Sequence, residues 1–142
     1  MDMERALEVV AEQHKCVLAT IKRDGRPQLS NVMYALGDDG LIRVSITDDR
    51  AKTANIRRDP RVSMYIGRED FWAYLVVEGD AELSPVAAAP DDATVSELVD
   101  LYRSLQGEHD DWDDYRAAMV RDRRLVLRIR PTHAYGTWRP TG

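Results

Sequence analysis

The sequence predicts a small antiparallel β-barrel of α+β type, with helices inserted between its strands. Three observations predict it. Short runs of alternating apolar residues recur along the chain, as in Val17, Ala19 and Ile21 or Ile42, Val44 and Ile46. Turn-forming tracts, Asp24-Gly25 and Gly37-Asp38-Asp39-Gly40, separate the early runs. Helical spacing appears at the start and again after residue 90, without the strict strand–helix alternation of a parallel sheet. Six or seven short strands with inserted helices fit a closed or half-closed barrel.

Met3, Ala6, Leu7 and Val10 recur at helical spacing, so residues 3–14 predict an amphipathic helix. A first strand begins at Cys16, a second runs from Pro27 to Ala35 and a third from Leu41 to Thr47. Joined by short turns, these three predict a meander. Asp48 to Arg58 is too polar for a strand and predicts a short helix. Asp48 or Asp49 would cap it, Ala51 and Ala54 would face inward, and Pro60 would end it. Val62, Met64 and Ile66 predict a fourth strand, Gly67 to Asp70 a loop, and Phe71 to Leu83 a fifth strand with a bulge at Gly79. Pro85 to Pro90 is a linker. Val95, Leu98, Val99, Tyr102 and Leu105 predict a helix opened near Asp91 and closed at Gly107. A shorter helix follows from about Asp111 to Arg121, with Tyr115 and Met119 inward. Together they form a helical insert over residues 90–122. Leu125, Leu127 and Ile129 predict a sixth strand, and His133 to Trp138 a seventh after Pro131. One domain spans residues 1–142.

Composition excludes several classes. With 44% hydrophobic and 32% charged residues in 142, the chain is neither disordered nor fibrous. No apolar run is long enough to span a membrane as a helix. The charged residues between Met1 and Lys15 interrupt any leader-like stretch, so the expected location is cytoplasmic. A net charge of −5 argues against nucleic-acid binding. Glu108, Asp110, Asp111, Asp113 and Asp114 carry as much negative charge as that whole excess. Helix capping and a solvated face account for this run, which lacks a calcium-loop pattern.

No nucleophile motif, phosphate loop or metal-ligand spacing is present. His14, His109 and His133 are far apart and are read as surface or capping residues, and Cys16 as a small buried side chain. Catalytic residues are therefore not assigned and no metal is expected. Three segments carry binding chemistry. In the first, Ser45 leads into Arg50, Lys52, Thr53, Arg57, Arg58 and Arg61, five cations within twelve positions. A helix start with fixed cations and a hydroxyl suits an anion, and the same cations also suit a solvated basic face. In the second, Gln28, Leu29, Ser30 and Asn31 concentrate hydrogen-bonding groups on one strand, beside the basic segment in the predicted meander. In the third, Trp72 and Tyr74 share a strand face, as a flat wall of a pocket or as core or interface aromatics.

Ala19 to Asn31 and Arg50 to Pro60, in this order and spacing, resemble the first hairpin and the phosphate-binding segment of the pyridoxamine 5′-phosphate oxidase-like split β-barrels. The insert from Ala88 to Arg116 makes the chain similar to the deazaflavin-dependent reductases that bind coenzyme F420, the B branch of the flavin/deazaflavin oxidoreductases. The resemblance runs from about residue 5 to residue 138. It implies a six- to seven-stranded split barrel and a homodimer with cofactor sites at the subunit interface. It also implies hydride transfer from reduced F420 to a conjugated small molecule such as a quinone or tetrapyrrole. Arg50, Lys52, Thr53 and Ser45 would hold the cofactor phosphate. Gln28, Leu29, Ser30 and Asn31 would line the ring and ribityl chain, with Trp72 and Tyr74 near the pocket from the other subunit. A proton would come from water, Tyr74 or His133. Two alternatives share these features: an FMN-dependent oxidase or reductase, and a non-catalytic F420 carrier.

Overall fold

The computed structural model describes residues 1–140. Seven strands form one curled antiparallel sheet: β1 Lys15–Ile21, β2 Pro27–Met33, β3 Ala35–Leu36, β4 Ile42–Thr47, β5 Arg61–Gly67, β6 Tyr74–Leu83 and β7 Arg124–Thr137. Four helices accompany it: α1 Met3–Glu12, α2 Ala51–Arg58, α3 Ala93–Gln106 and α4 Trp112–Arg121. The strand order is β2-β1-β5-β6-β7-β4-β3, and the whole is an α+β split barrel.

That order corrects the meander. The β1–β2 hairpin is present, but β4 pairs with β7 and β3, which puts β2 and the β3–β4 pair at opposite margins of the sheet. Alternating hydrophobicity says that Ile42 to Thr47 is a strand, not which distant strand it pairs with. The strand expected to run on to Ala35 breaks at Tyr34. Tyr34 is fully buried; its amide donates to the His14 carbonyl and its hydroxyl to the Val10 carbonyl, both at 2.9 Å. This pins the crossing between the two margins beneath α1.

The main core is the concave side of the sheet. Leu18, Ile42, Ile46, Met64, Ile66, Leu75, Leu125, Leu127 and Ile129 meet there, closed at one end by Ala6, Val9 and Val10 of α1. The alternation of β4, β5 and β6 delivers these residues to one face. In β7 both faces are used, since Val126 turns away from the barrel to pack with Ala87, Val95, Leu98 and Met119 under the helical insert.

The last two expected strands are one. Pro131 sits opposite Gly79, at the register shift predicted for Gly79. Thr132 is left without a register partner there, and a local break of this kind in the ladder is where a strand tolerates proline. A Cβ at Gly79 would lie 2.7 Å from the Arg130 carbonyl oxygen, which is why glycine is needed at the bulge. The strand expected from Phe71 starts only at Tyr74. Phe71 has φ 74°, and the Asp70 carboxylate accepts from the Trp72 amide at 3.1 Å, so residues 68–73 form a braced loop.

The short basic helix is also rotated from expectation. Ala51 and Ala54 are exposed, while Thr53, Asn55 and Ile56 face inward. Neither Asp48 nor Asp49 caps it; Arg50 holds the cap position without a side-chain bond.

Two interactions fix the insert. The Glu97 carboxylate accepts from Arg43 of β4 at 2.8 Å and from Arg128 of β7 at 2.5 and 2.8 Å, mooring α3 to the barrel. Asp92 caps α3 and accepts from the amides of Val95, Ala88 and Ala89 at 2.8, 2.8 and 3.1 Å. Burial pushes this carboxyl up, but those amides outweigh it and hold it below the usual carboxylate value. Asp92→Ala is expected to destabilise the protein by ~1 kcal/mol at neutral pH, a loss readable by urea unfolding. The lowered value places the cap's contribution above the unfolded carboxyl's titration. The difference between variant and wild type therefore shrinks as pH falls through the folded value.

Candidate functional site

A cavity of about 450 Å³ lies where the two margins of the sheet approach each other without pairing. Asn31 and Met33 of β2 form one side, Ser45 and Thr47 of β4 the other, and α3 and α4 cover it with Tyr102 and Tyr115. Arg50 and Lys52, at the start of α2, and Arg124, at the start of β7, bring three cations into it. The chain reaches this arrangement simply. Arg124 is the ladder partner of Thr47, so the segment leaving β4 and the residue opening β7 share one end of the sheet.

These cations lack acidic partners among the described residues. Many arginines elsewhere are paired, as Arg61 is with Asp59 at 2.7 Å, Arg130 with Asp80 at 3.1 Å and Arg128 with Glu97 at 2.5 Å; Arg58 and Arg116 bond only neutral groups, but singly and outside this cleft. The two acids nearest in sequence are diverted. Asp48 accepts from Arg57 at 2.6 Å and from Arg123 at 3.0 Å, and these bonds hold its carboxyl below the usual value. Asp49 accepts the Thr47 hydroxyl at 2.7 Å. Arg124 makes only long contacts, 3.4 and 3.5 Å, to the Ser45 hydroxyl and carbonyl, and its buried Nε has no partner. Burial, reinforced by Arg50 and Arg124, pushes the Lys52 ammonium below its ordinary value. Like charges held together in a half-buried cleft leave a strong positive field with no internal counterion.

The expected site residues divide. Asn31, Ser45, Arg50 and Lys52 line the cavity. Thr53 does not: it is buried, and its hydroxyl donates to the Thr47 carbonyl at 2.7 Å, tying α2 to the end of β4. Gln28 accepts from the Thr20 hydroxyl at 3.2 Å, and Thr20 accepts from Asn55 at 3.2 Å, a network that seats α2 on the hairpin. Leu29 points outward and is 61% exposed. The Ser30 hydroxyl is buried without a partner, outside the residues lining the cavity. Trp72 and Tyr74 do not share a strand face. Trp72 is 80% exposed on the loop, and Tyr74 of β6 stacks on Tyr65 of β5 with ring centroids 6.0 Å apart. Neither lines this cavity, and nor does His133, which is exposed on β7.

Arg124, Thr47, Tyr102 and Tyr115 are the polar and aromatic lining residues of most consequence that the sequence did not reveal. Their signals were the Arg123-Arg124 pair opening a strand and the aromatic content of the insert. Neither speaks until the β4–β7 pairing and the helix seating are known. Cys16 is a buried side chain of β1, and burial pushes its thiol up to about 12.

An anion held by cations, beside an aromatic wall, fits a phosphorylated ring compound, and the orphaned Arg124 Nε is the group such a ligand would satisfy. Among solved structures, the conserved hypothetical protein Rv2991 from Mycobacterium tuberculosis is 25% identical, with a TM-score of 0.74 over 96% of this chain and 84% of that one. A protein described as an F420 reductase is 26% identical, with a TM-score of 0.68 over 90% of this chain and 94% of its own. A FAD-binding protein from Mesorhizobium loti shares the fold at 20% identity, with a TM-score of 0.68 over 96% of this chain and 92% of its own. The family model described as pyridoxamine 5′-phosphate oxidase matches residues 3–138. On that match the chain belongs to the pyridoxamine 5′-phosphate oxidase family.

Proposed function

We propose that the chain is an oxidoreductase that binds reduced coenzyme F420 in this cavity and uses it to reduce a conjugated small molecule such as a quinone or tetrapyrrole. The observation that carries the reading is the convergence of Arg50, Lys52 and Arg124 without acidic partners in an otherwise acidic protein. The F420 reductase of similar sequence and fold supports the choice of cofactor. Bound reduced F420 supplies the hydride. The chain's own part is positional: the three cations and the Ser45 hydroxyl hold the anionic handle, and the cover of α3 and α4 shields the ring from water. No side chain of the cavity is needed as a nucleophile.

The FAD-binding neighbour and the family description favour a second reading, FMN in the same cavity, since a single phosphate satisfies the same cations. Titration of the purified protein with reduced F420 and with FMN, followed by addition of a quinone, separates the readings. Saturation by F420 with quinone-dependent oxidation is expected. Saturation by FMN alone overturns the deazaflavin reading, and F420 binding without turnover on any conjugated acceptor indicates a carrier.

A homodimer belongs to the same proposal. Asn31, Val17, Tyr65, Val76 and Tyr135 are register partners in one row across five strands of the outer face. Leu29, Tyr65 and Tyr135 on this face are 61%, 41% and 45% exposed, and Phe71 and Trp72 project beside it. Exposed aromatic and apolar side chains gathered on one face support an interface there. A second copy seated there would bring its own Trp72 and Tyr74 towards the cavity margin at Asn31. Sedimentation at micromolar concentration is expected to give a dimer, and Tyr65→Lys a monomer; a monomeric wild type would refute the shared site.

A further inference from the structure

The helical insert carries a cluster of aromatic side chains, of which Tyr115 packs against the insert's own core. This core is Ala87, Val95, Leu98 and Met119 against Val126. Beside that core, Tyr102 meets Tyr115, His109 and Trp112 at centroid distances of 5.0, 5.3 and 5.7 Å. These neighbours are themselves fixed. Tyr115 donates its hydroxyl to the Leu98 carbonyl at 3.1 Å, the Asp111 amide donates to His109 at 2.8 Å, and the Trp112 indole donates to Glu108 at 3.0 Å while Arg103 lies 4.7 Å over its ring. The rings stand 58°, 63° and 84° from the plane of Tyr102, so none lies parallel on it. Of the four, only Tyr102 and Tyr115 line the cavity that holds the unpaired cations.

We propose that Tyr102 determines ligand specificity: it is the platform on which the planar part of the ligand stacks while Arg50, Lys52 and Arg124 hold the anionic part. The inference rests on the reading of the cavity as a site for an anion-bearing ring and assigns the ring's place within it. Tyr115 braces Tyr102 and has its hydroxyl committed, which leaves Tyr102 as the wall's reading surface. A flat conjugated group gains both buried area and aromatic contact there, whereas a phosphate without a ring gains neither. Rejection of non-planar phosphates follows from the missing contact rather than from a clash.

The test compares wild type, Tyr102→Ala and Tyr102→Phe by titration calorimetry with F420, FMN and inorganic phosphate. The alanine variant is expected to bind the preferred ring ligand about tenfold more weakly and inorganic phosphate unchanged, and the phenylalanine variant to stay within about twofold of wild type on both. Where the alanine variant melts early, Tyr102→Leu, which fills the space without a π face, takes its place with the same expectation. Ring affinity unchanged in the alanine or leucine variant overturns the inference. So does an equal loss of phosphate, or a phenylalanine variant as weak as alanine. A wild type that binds a ring ligand, with the alanine and leucine variants matching it, overturns this assignment alone; a wild type that binds neither F420 nor FMN overturns the functional reading beneath it.

Discussion

Lys52→Met is expected to cost ~1.5–3 kcal/mol of cofactor binding, roughly a 10- to 150-fold rise in dissociation constant. The ligand-free variant is expected to melt no lower than wild type. Both halves follow from one circumstance. The Lys52 ammonium is half-buried beside Arg50 and Arg124 and has no carboxylate partner among the described residues, so its proton is held less firmly than in an unfolded chain. For a lysine, a folded value below the unfolded one means that folding is penalised while the group is charged. The penalty is complete below the folded value, fades as pH rises from it towards the unfolded value, and is gone above that. Methionine keeps the stem and removes the charge, and with it the penalty. A bound phosphate does the opposite and restores the ammonium. Binding near the lowered value should therefore take up protons, measurable by calorimetry in buffers of different ionisation enthalpy. A variant that binds normally would return Lys52 to the solvated basic face. One that binds poorly but also melts well below wild type would mean that Lys52 holds the fold rather than the ligand.

Gly136→Ala is expected to be the most damaging single methyl group in the chain. Gly136 lies in β7 opposite Leu75, with φ 139°. An added Cβ would collide with the Tyr74 carbonyl oxygen and come 3.0 Å from the Leu75 Cα, both backbone atoms that cannot swing aside. Overpacking of this kind costs ~1–3 kcal/mol and the backbone conformation ~1–2 more. A loss of ~3 kcal/mol or more would appear as a melting temperature lowered by roughly 10 °C. Because β6 and β7 form the longest ladder of the sheet, a local shift cannot relieve the collision without breaking strand pairing. A melting temperature within a degree or two of wild type would show that the ladder yields there. Gly25 is the internal control: its φ is 87°, yet nothing lies within 4 Å of an added Cβ, so alanine there carries only the backbone cost.

Much of the fold was legible because the signals were local. The periodicity of Val95, Leu98 and Val99 and the bounds at Asp92 and Gly107 define α3 within a residue or two of expectation. The glycine of the bulge was readable for the same reason. What was not legible is long-range. The number of strands agrees with expectation only because two differences cancel: Ala35–Leu36 is an extra strand, and the segments either side of Pro131 are one. A proline marks a break by default, and only the pairing of β7 with Gly79 explains why it does not break here. In the site, the helix-start cations were visible as a run. Arg124 was invisible because its place depends on a partner 77 positions earlier, Thr47. Thr53 and Gln28 misled because their hydrogen-bonding groups are real but already committed, and commitment cannot be read from residue type.

The unsealed seam of the barrel has a mechanical meaning. A sheet that stops short of closing has two free selvedges, and here a guest molecule would lodge between them. Such a guest works as a clasp, since it joins ends of the sheet that no backbone bond connects. Loading would therefore quiet motion along both selvedges at once, and unloading would need only that they part, leaving the ladders on the far side undisturbed.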